Sequence, residues 1–148
     1  MDYCHGSWYG ALSVDLKKRL DILQRKMVRF VEGLDPRHHI GLRELHHLSW
    51  LSIPDRVRFF RLIHLFRIRN NTAPSYLNEG FTRLNQVHSH GTRGSNLDFH
   101  LSRNLSQARN SFVFLAIKEW NALPFSIKSV EHFGSFRRKL REFLFSSY

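Results

Sequence analysis

Residues 52–71, SIPDRVRFFRLIHLFRIRNN, constrain the fold more than any other stretch of this chain. Phe59, Leu62, Ile63 and Phe66 recur at helical spacing and form a broad stripe, while Val57, Leu65 and Ile68 lie elsewhere around the same helix. A helix apolar over so much of its circumference has to be enclosed by other elements, so it is expected at the centre of the fold. Pro54 suits its first turn, where a missing N–H leaves no bond unmade. Asn70-Asn71 with Pro74 ends it. Arg58, Arg61 and Arg69 share one side of it.

The remaining segments supply the enclosure. In residues 13–32, SVDLKKRLDILQRKMVRFVE, the residues Leu16, Leu20, Leu23, Met27 and Phe30 follow steps of four, three, four and three. That spacing puts all five on one helical face, which is expected to pack inward. Ser13 is the expected N-cap, Asp15 sits near the positive helix end, and Gly33 is placed to terminate the helix. Lys18, Arg25 and Arg29 form a stripe away from the apolar face. From Pro36 to Leu51 runs a connector with a short helix, GLRELHHLSW. SFVFLAIKEWNAL reads as a helix from about residue 112, and VEHFGSFRRKLREFLFSS as a final one with Phe133, Phe136, Leu140, Phe143 and Leu144 on one face. Arg137, Arg138 and Arg141 lie beside that face.

Between residues 119 and 125 the chain reads EWNALPF. Asn121 tolerates the left-handed conformation needed past a helix end, Leu123 folds back on the last turn, and Pro124 forbids continuation. Trp120 is the expected buried anchor.

Residues 82–111 differ in character: Gly, Ser, Asn, Arg and His dominate and no helical period appears. This is expected to be a long, irregular, basic arm, with a short strand or hairpin where Leu97, Phe99 and Leu101 alternate. Arg93, Arg103 and Arg109 lie in it, with Phe99 and His100 available to stack on bases. The expected fold is therefore mainly α: one domain over residues 1–148, a small bundle of about four to six helices with the arm inside its sequence.

Charge narrows the partners. Twenty-three Lys and Arg face twelve Asp and Glu, for a formal net charge of +11, and seventeen of the cations are Arg. A guanidinium fork matches phosphate oxygens in pairs, so RNA or DNA is the expected partner, with low sequence specificity. One cysteine, Cys4, excludes an internal disulfide and a thiolate-rich zinc site. The polar start shows no signal peptide and no apolar run is long enough for a bilayer, so an intracellular location is expected, cytoplasm or nucleus, not secreted, and no membrane partner. The histidine pairs His38-His39, His46-His47 and His88-x-His90 lack the convergent ligand spacing of a metal centre. Cys4-His5 lacks a third triad member, and Gly91-x-x-Gly94 lacks the Lys and Ser/Thr of a phosphate loop. No catalytic residue, metal, cofactor or small-molecule substrate is expected.

Taken in order, LKKRLDILQRKMVRFVEG, HLSWLSIPDRVRFFRLIHLFRIRNNTAPSYL and AIKEWNALPFSIKSVEHFGSFRRKLREFLF resemble the C-terminal part of the reverse transcriptase polyprotein of non-LTR (LINE-type) retrotransposons, over about residues 8–146. The pieces that carry the likeness are Leu48 to Arg56, Ala73 to Leu77 and Trp120 to Pro124. Trp50, Pro54, Pro74, Tyr76, Trp120, Asn121, Leu123 and Pro124 are thus expected in structural roles. In that family the segment follows the polymerase palm and thumb, whose carboxylates, including a Tyr-x-Asp-Asp turn, hold two Mg²⁺ about 3.5–4 Å apart. This chain has no Asp-Asp pair, and its six aspartates stand singly. The resemblance implies a non-catalytic segment that holds RNA or DNA through Arg-rich surfaces such as Lys18, Arg25, Arg29, Arg58, Arg61, Arg93, Arg103, Arg109, Arg137, Arg138 and Arg141. The alternatives are a structural module that docks on a polymerase domain or on itself, exposing Phe143 and Phe145, or a decayed fragment without function.

Overall fold

The computed structural model describes residues 5–87, 99–101 and 109–146. The fold is mainly α. A short helix α1 (His5–Trp8) and a 3₁₀ turn (Tyr9–Ala11) lead into α2 (Val14–Glu32). Then come α3 (Leu42–His47), α4 (Ile53–Arg69), a 3₁₀ turn (Ser75–Gly80) and α5 (Leu84–Val87). α6 (Phe112–Asn121), α7 (Phe125–Lys128) and α8 (Phe133–Ser146) complete the chain. Among the described residues no helix is long and apolar enough to cross a membrane.

α4 is central, as its wide apolar girdle requires. Val57, Phe59, Leu62, Ile63, Leu65, Phe66 and Ile68 are all buried. Ala116, Ile117 and Trp120 of α6 and Phe136, Leu140 and Leu144 of α8 close over it. The Phe66 and Phe136 rings stack with centroids 4.2 Å apart, and Trp120 lies 5.7 Å from Phe136. Each such side chain contributes about 1.5–3 kcal/mol by leaving water. A smaller cluster of Val28, Ile40 and Leu45, flanked by Leu34, Leu48 and Trp50, holds the α2–α3 corner. Trp50 therefore packs where a structural residue should, half-buried at that corner.

Local signals place the helix ends. Ser13 and Ser52 cap α2 and α4, their hydroxyls accepting from the Leu16 and Asp55 amides at 3.3 Å each. Pro54 sits in the first turn of α4. Three helices end in one hydrogen-bond pattern, with Leu34, Trp50 and Thr72 donating back to Arg29, Leu45 and Arg67 at 2.9, 2.7 and 2.9 Å. In each the preceding residue takes positive φ: Gly33 at 62°, Ser49 at 55° and Asn71 at 54°.

α2 presents a different face from the one expected. Its buried residues are Gln24 and Val28, while Leu16, Leu23, Met27 and Phe30 are exposed, Phe30 at 89%, and Leu20 is half-buried. The Gln24 amide explains the rotation. Its Nε2 donates to the Leu51 carbonyl at 2.8 Å and its Oε1 accepts from the Ile53 amide at 3.2 Å. One side chain thereby pairs two backbone groups at the start of α4, and a polar residue turns inward because its hydrogen bonds lie there.

Asn121 also departs from expectation. It is the last residue of α6, and Ala122 after it stays right-handed. The Asn121 amide instead bonds both backbone groups of Phe99, donating to its carbonyl at 2.8 Å and accepting from its N–H at 3.1 Å. Trp120 is fully enclosed, Leu123 is buried, and Pro124 opens α7 by accepting from Ile127 and Lys128. Pro74 likewise opens the Ser75–Gly80 turn. Tyr76 is 68% exposed and no packing anchor, because the turn is tied to the core at its flanks by Ala73 and Phe81.

The Asn121 clamp changes the reading of residues 82–111. Phe99 is buried, pairs with Arg83 through a single antiparallel bridge, and meets Phe81 and Trp120 edge-on at 5.9 and 6.0 Å. His100 donates to Thr82 at 2.7 Å. Phe99 is therefore part of the core and not a platform for a base. The described residues form this one bridge and no strand, and Leu97, Arg93 and Arg103 lie outside them.

Candidate nucleic-acid interface

The expected phosphate-contacting residues divide into three groups. On α2, Lys18 and Arg25 are exposed and Arg29 half-buried along one flank. Arg25 pairs with Asp21 at 2.8 Å one turn away. Exposed pairs of this kind stabilise by only about 0.3–0.5 kcal/mol, so Arg25 is loosely held. Arg29 donates through Nε to the His38 carbonyl at 2.9 Å.

On α8, Arg137, Arg138 and Arg141 are exposed. Arg138 stands 4.0 Å from Glu142, and Arg141 donates through Nη2 to the Ser49 carbonyl at 2.6 Å while covering the Phe145 ring. Arg29 and Arg141 thus each bond the connector between α2 and α4, Arg29 at His38 and Arg141 at Ser49. Each uses one donor there and keeps four of the five a guanidinium offers. Arg37 and Arg43 stand exposed on the same connector, and the sequence reading did not single them out because the Leu42, Leu45 and Leu48 repeat there marks only the apolar side.

The third group does not reach solvent as expected. Arg61 is buried, and its Nη2 lies 3.1 Å from Glu119 Oε1 on α6. Arg58 is half-buried with its guanidinium 5.9 Å from the Phe143 ring centre. Because α4 is enclosed on so many sides, its polar residues are enclosed with it, and Arg61 is no phosphate contact of an exposed surface. Arg69 follows the same logic, donating to the Lys128 carbonyl at 2.9 Å. Arg109 is exposed at the foot of α6.

Electrostatics at the buried pair are set by burial. It pushes the Glu119 carboxyl above its usual range, against the pull of Arg61, Arg58 and Lys118. It also lowers the Arg61 guanidinium, while Glu119 opposes that. Glu119 was not legible as a site residue. Its one signal is being the only acid of α6, flanking the face that meets Arg-rich α4.

Phe143 and Phe145 are half-buried beneath Arg58 and Arg141, so they do not form the exposed patch expected for self-association. The exposed apolar stripe belongs to α2. Among the described residues no group of three or more His, Cys, Asp or Glu is placed to hold a metal ion. Comparison of the chain with protein-family models, with curated proteins and with solved structures finds no match.

Proposed function

We propose that this chain is a non-catalytic nucleic-acid-binding helical module, the counterpart of the segment that follows the polymerase in non-LTR retrotransposon reverse transcriptases. The reading is supported by the cations of α2 and α8, most of them exposed; one on each helix, Arg29 and Arg141, is bonded to the connector between α2 and α4. Lys18, Arg25, Arg29, Arg137, Arg138 and Arg141 hold phosphates, and the groups on offer favour backbone contact over base readout. Sequence specificity is accordingly low, and the setting is the cytoplasm or nucleus. A titration of labelled single-stranded RNA followed by anisotropy tests it. Arg137→Ala with Arg138→Ala weakens binding and flattens its salt slope by about 1.4, since each lost contact to a single strand removes about 0.7. An unchanged affinity contradicts the reading.

One observation favours a second reading. The exposed stripe of Leu16, Leu23, Met27 and Phe30 runs the length of α2 on the flank opposite its cations. Such a stripe suits a protein partner or a second copy. Sedimentation over a range of concentrations, with and without RNA, separates the two: self-association unaffected by RNA favours the second.

A further inference from the structure

The apolar stripe of α2 has a shape that narrows its occupant. Leu16, Leu20, Leu23, Met27 and Phe30 follow steps of four, three, four and three along about 21 Å of helix. Such spacing is the narrow seam of a coiled coil, with Leu20 and Met27 at heptad position a and Leu16, Leu23 and Phe30 at d. Leu20 is half-buried and the other four are exposed, Phe30 most of all. The core does not use this seam, since Gln24 and Val28 turn inward from other positions of the helix. A seam of this width accepts the side-chain ridge of one more helix, whereas burial in a lipid interface wants a broader apolar face.

Charge decides which helix. Besides the flank of Lys18, Arg25 and Arg29, α2 carries a second basic row, Arg19 and Lys26, both exposed. At about 100° per residue these two fall within about 60° of Leu23, so they border the seam at the g positions. Arg19 pairs with Asp15 at 3.0 Å, an exposed pair one turn apart that a partner's carboxylate can replace. At e, on the other border, stand Lys17, Gln24 and Val31, and Gln24 is spent on the Leu51 and Ile53 backbone. No acid lines either border. A second copy is therefore a poor occupant. In an antiparallel pair the g rows meet, cation against cation; in a parallel pair g meets e and finds no acid. The two internal segments outside the described residues, 88–98 and 102–108, fit no better, with Leu97, Leu105 and Ala108 as their apolar residues. A helix with acids along its borders meets complementary charge instead.

We propose that the α2 seam docks an acidic amphipathic helix of another protein, its apolar residues set between Leu16 and Phe30 and its carboxylates on Arg19 and Lys26; this rests on the protein-contact reading of the same stripe. Each exposed apolar side chain of the seam leaves water on docking, and the border charges fix the register. Lys18, Arg25 and Arg29 face away from the seam, so α2 holds the helix on one side and keeps its other side for phosphate.

The test is fluorescence anisotropy of a labelled synthetic peptide titrated with the full chain. The peptide is about three heptads long, with Leu at a and d and Glu at e and g. Saturable binding of one peptide per chain is expected. A scrambled peptide of the same composition, and a twin with Lys in place of Glu, bind at least about tenfold more weakly. Phe30→Ala and Met27→Ala each weaken the acidic peptide by about tenfold. Both side chains are exposed, and circular dichroism checks that the variants fold. Arg19→Glu with Lys26→Glu reverses the choice, so that the Lys twin binds the tighter. Lys139→Gln, exposed on α8, leaves binding unchanged. Equal binding of the patterned and scrambled peptides overturns the proposal, as does equal binding of the Glu and Lys peptides. Vesicles of phosphatidylserine and phosphatidylcholine that bind the wild type and not Phe30→Ala assign the stripe to a membrane and overturn it too. Self-association that Phe30→Ala abolishes, with no peptide binding, overturns this occupant and keeps the protein-contact reading. Absence of both self-association and peptide binding ends both.

Discussion

Gln24 and Asn121 each do with one carboxamide what a strand neighbour would do, pairing both a carbonyl and an N–H of a distant backbone. Neither role is written in local sequence. A carboxamide suits a helix surface or a helix end equally well, and its partners lie 22 to 29 residues away. Asn121→Ala should leave the Phe99 backbone unpaired in a partly enclosed site and cost about 1–3 kcal/mol. Urea denaturation measures that loss, and faster amide exchange at Phe99 locates it. Ser49 offers the opposite case. It occupies the left-handed position at the end of α3, where a Cβ is unfavourable by about 1–2 kcal/mol. Glycine relieves that strain but is freer when unfolded, so Ser49→Gly should stabilise by up to about 1 kcal/mol. The Arg141 bond goes to the Ser49 carbonyl and survives the change.

At the scale of elements, the periodic signal was reliable where both sides of a helix had to be covered. Apolar residues all round α4 admit only a central position, and of the face that spacing indicated on α8, Phe136, Leu140 and Leu144 are buried, Phe143 is half-buried and Phe133 is exposed. α2 was legible as a helix, with its cap, its Gly33 stop and its basic flank, but not in its rotation. Five apolar residues on one face argued for one orientation, and two hydrogen bonds from Gln24 fixed another. The same enclosure of α4 turned Arg61 from a surface cation into half of a buried pair with Glu119. The fold holds the Glu119 proton more tightly than the unfolded chain, whose carboxyl titrates near 4.5. Stability carried by that proton is complete below pH 4.5 and is lost as pH rises through the raised folded value. Glu119→Gln should remove this component, so thermal melts across pH 4–8 should fall less steeply for the variant than for the wild type. Parallel melting curves would show that the carboxyl titrates as though exposed.

On the scale of the molecule, burial withdraws some charges from the surface and leaves a narrower set outside. Arg61 is buried and Arg58 and Arg69 are half-buried, held by Glu119, Phe143 and the Lys128 carbonyl, whereas Lys18, Arg25, Arg137, Arg138 and Arg141 stay exposed. Composition announced the excess of +11 but could not say where it would be displayed, because that depends on which helix faces the core. Binding of single-stranded RNA across a range of salt concentrations tests the central claim most directly. Contacts from Lys18, Arg25, Arg29, Arg137, Arg138 and Arg141, at about 0.7 each, predict a slope of log affinity against log salt of about −4. Affinity indifferent to salt, or absent at low salt, would contradict the account.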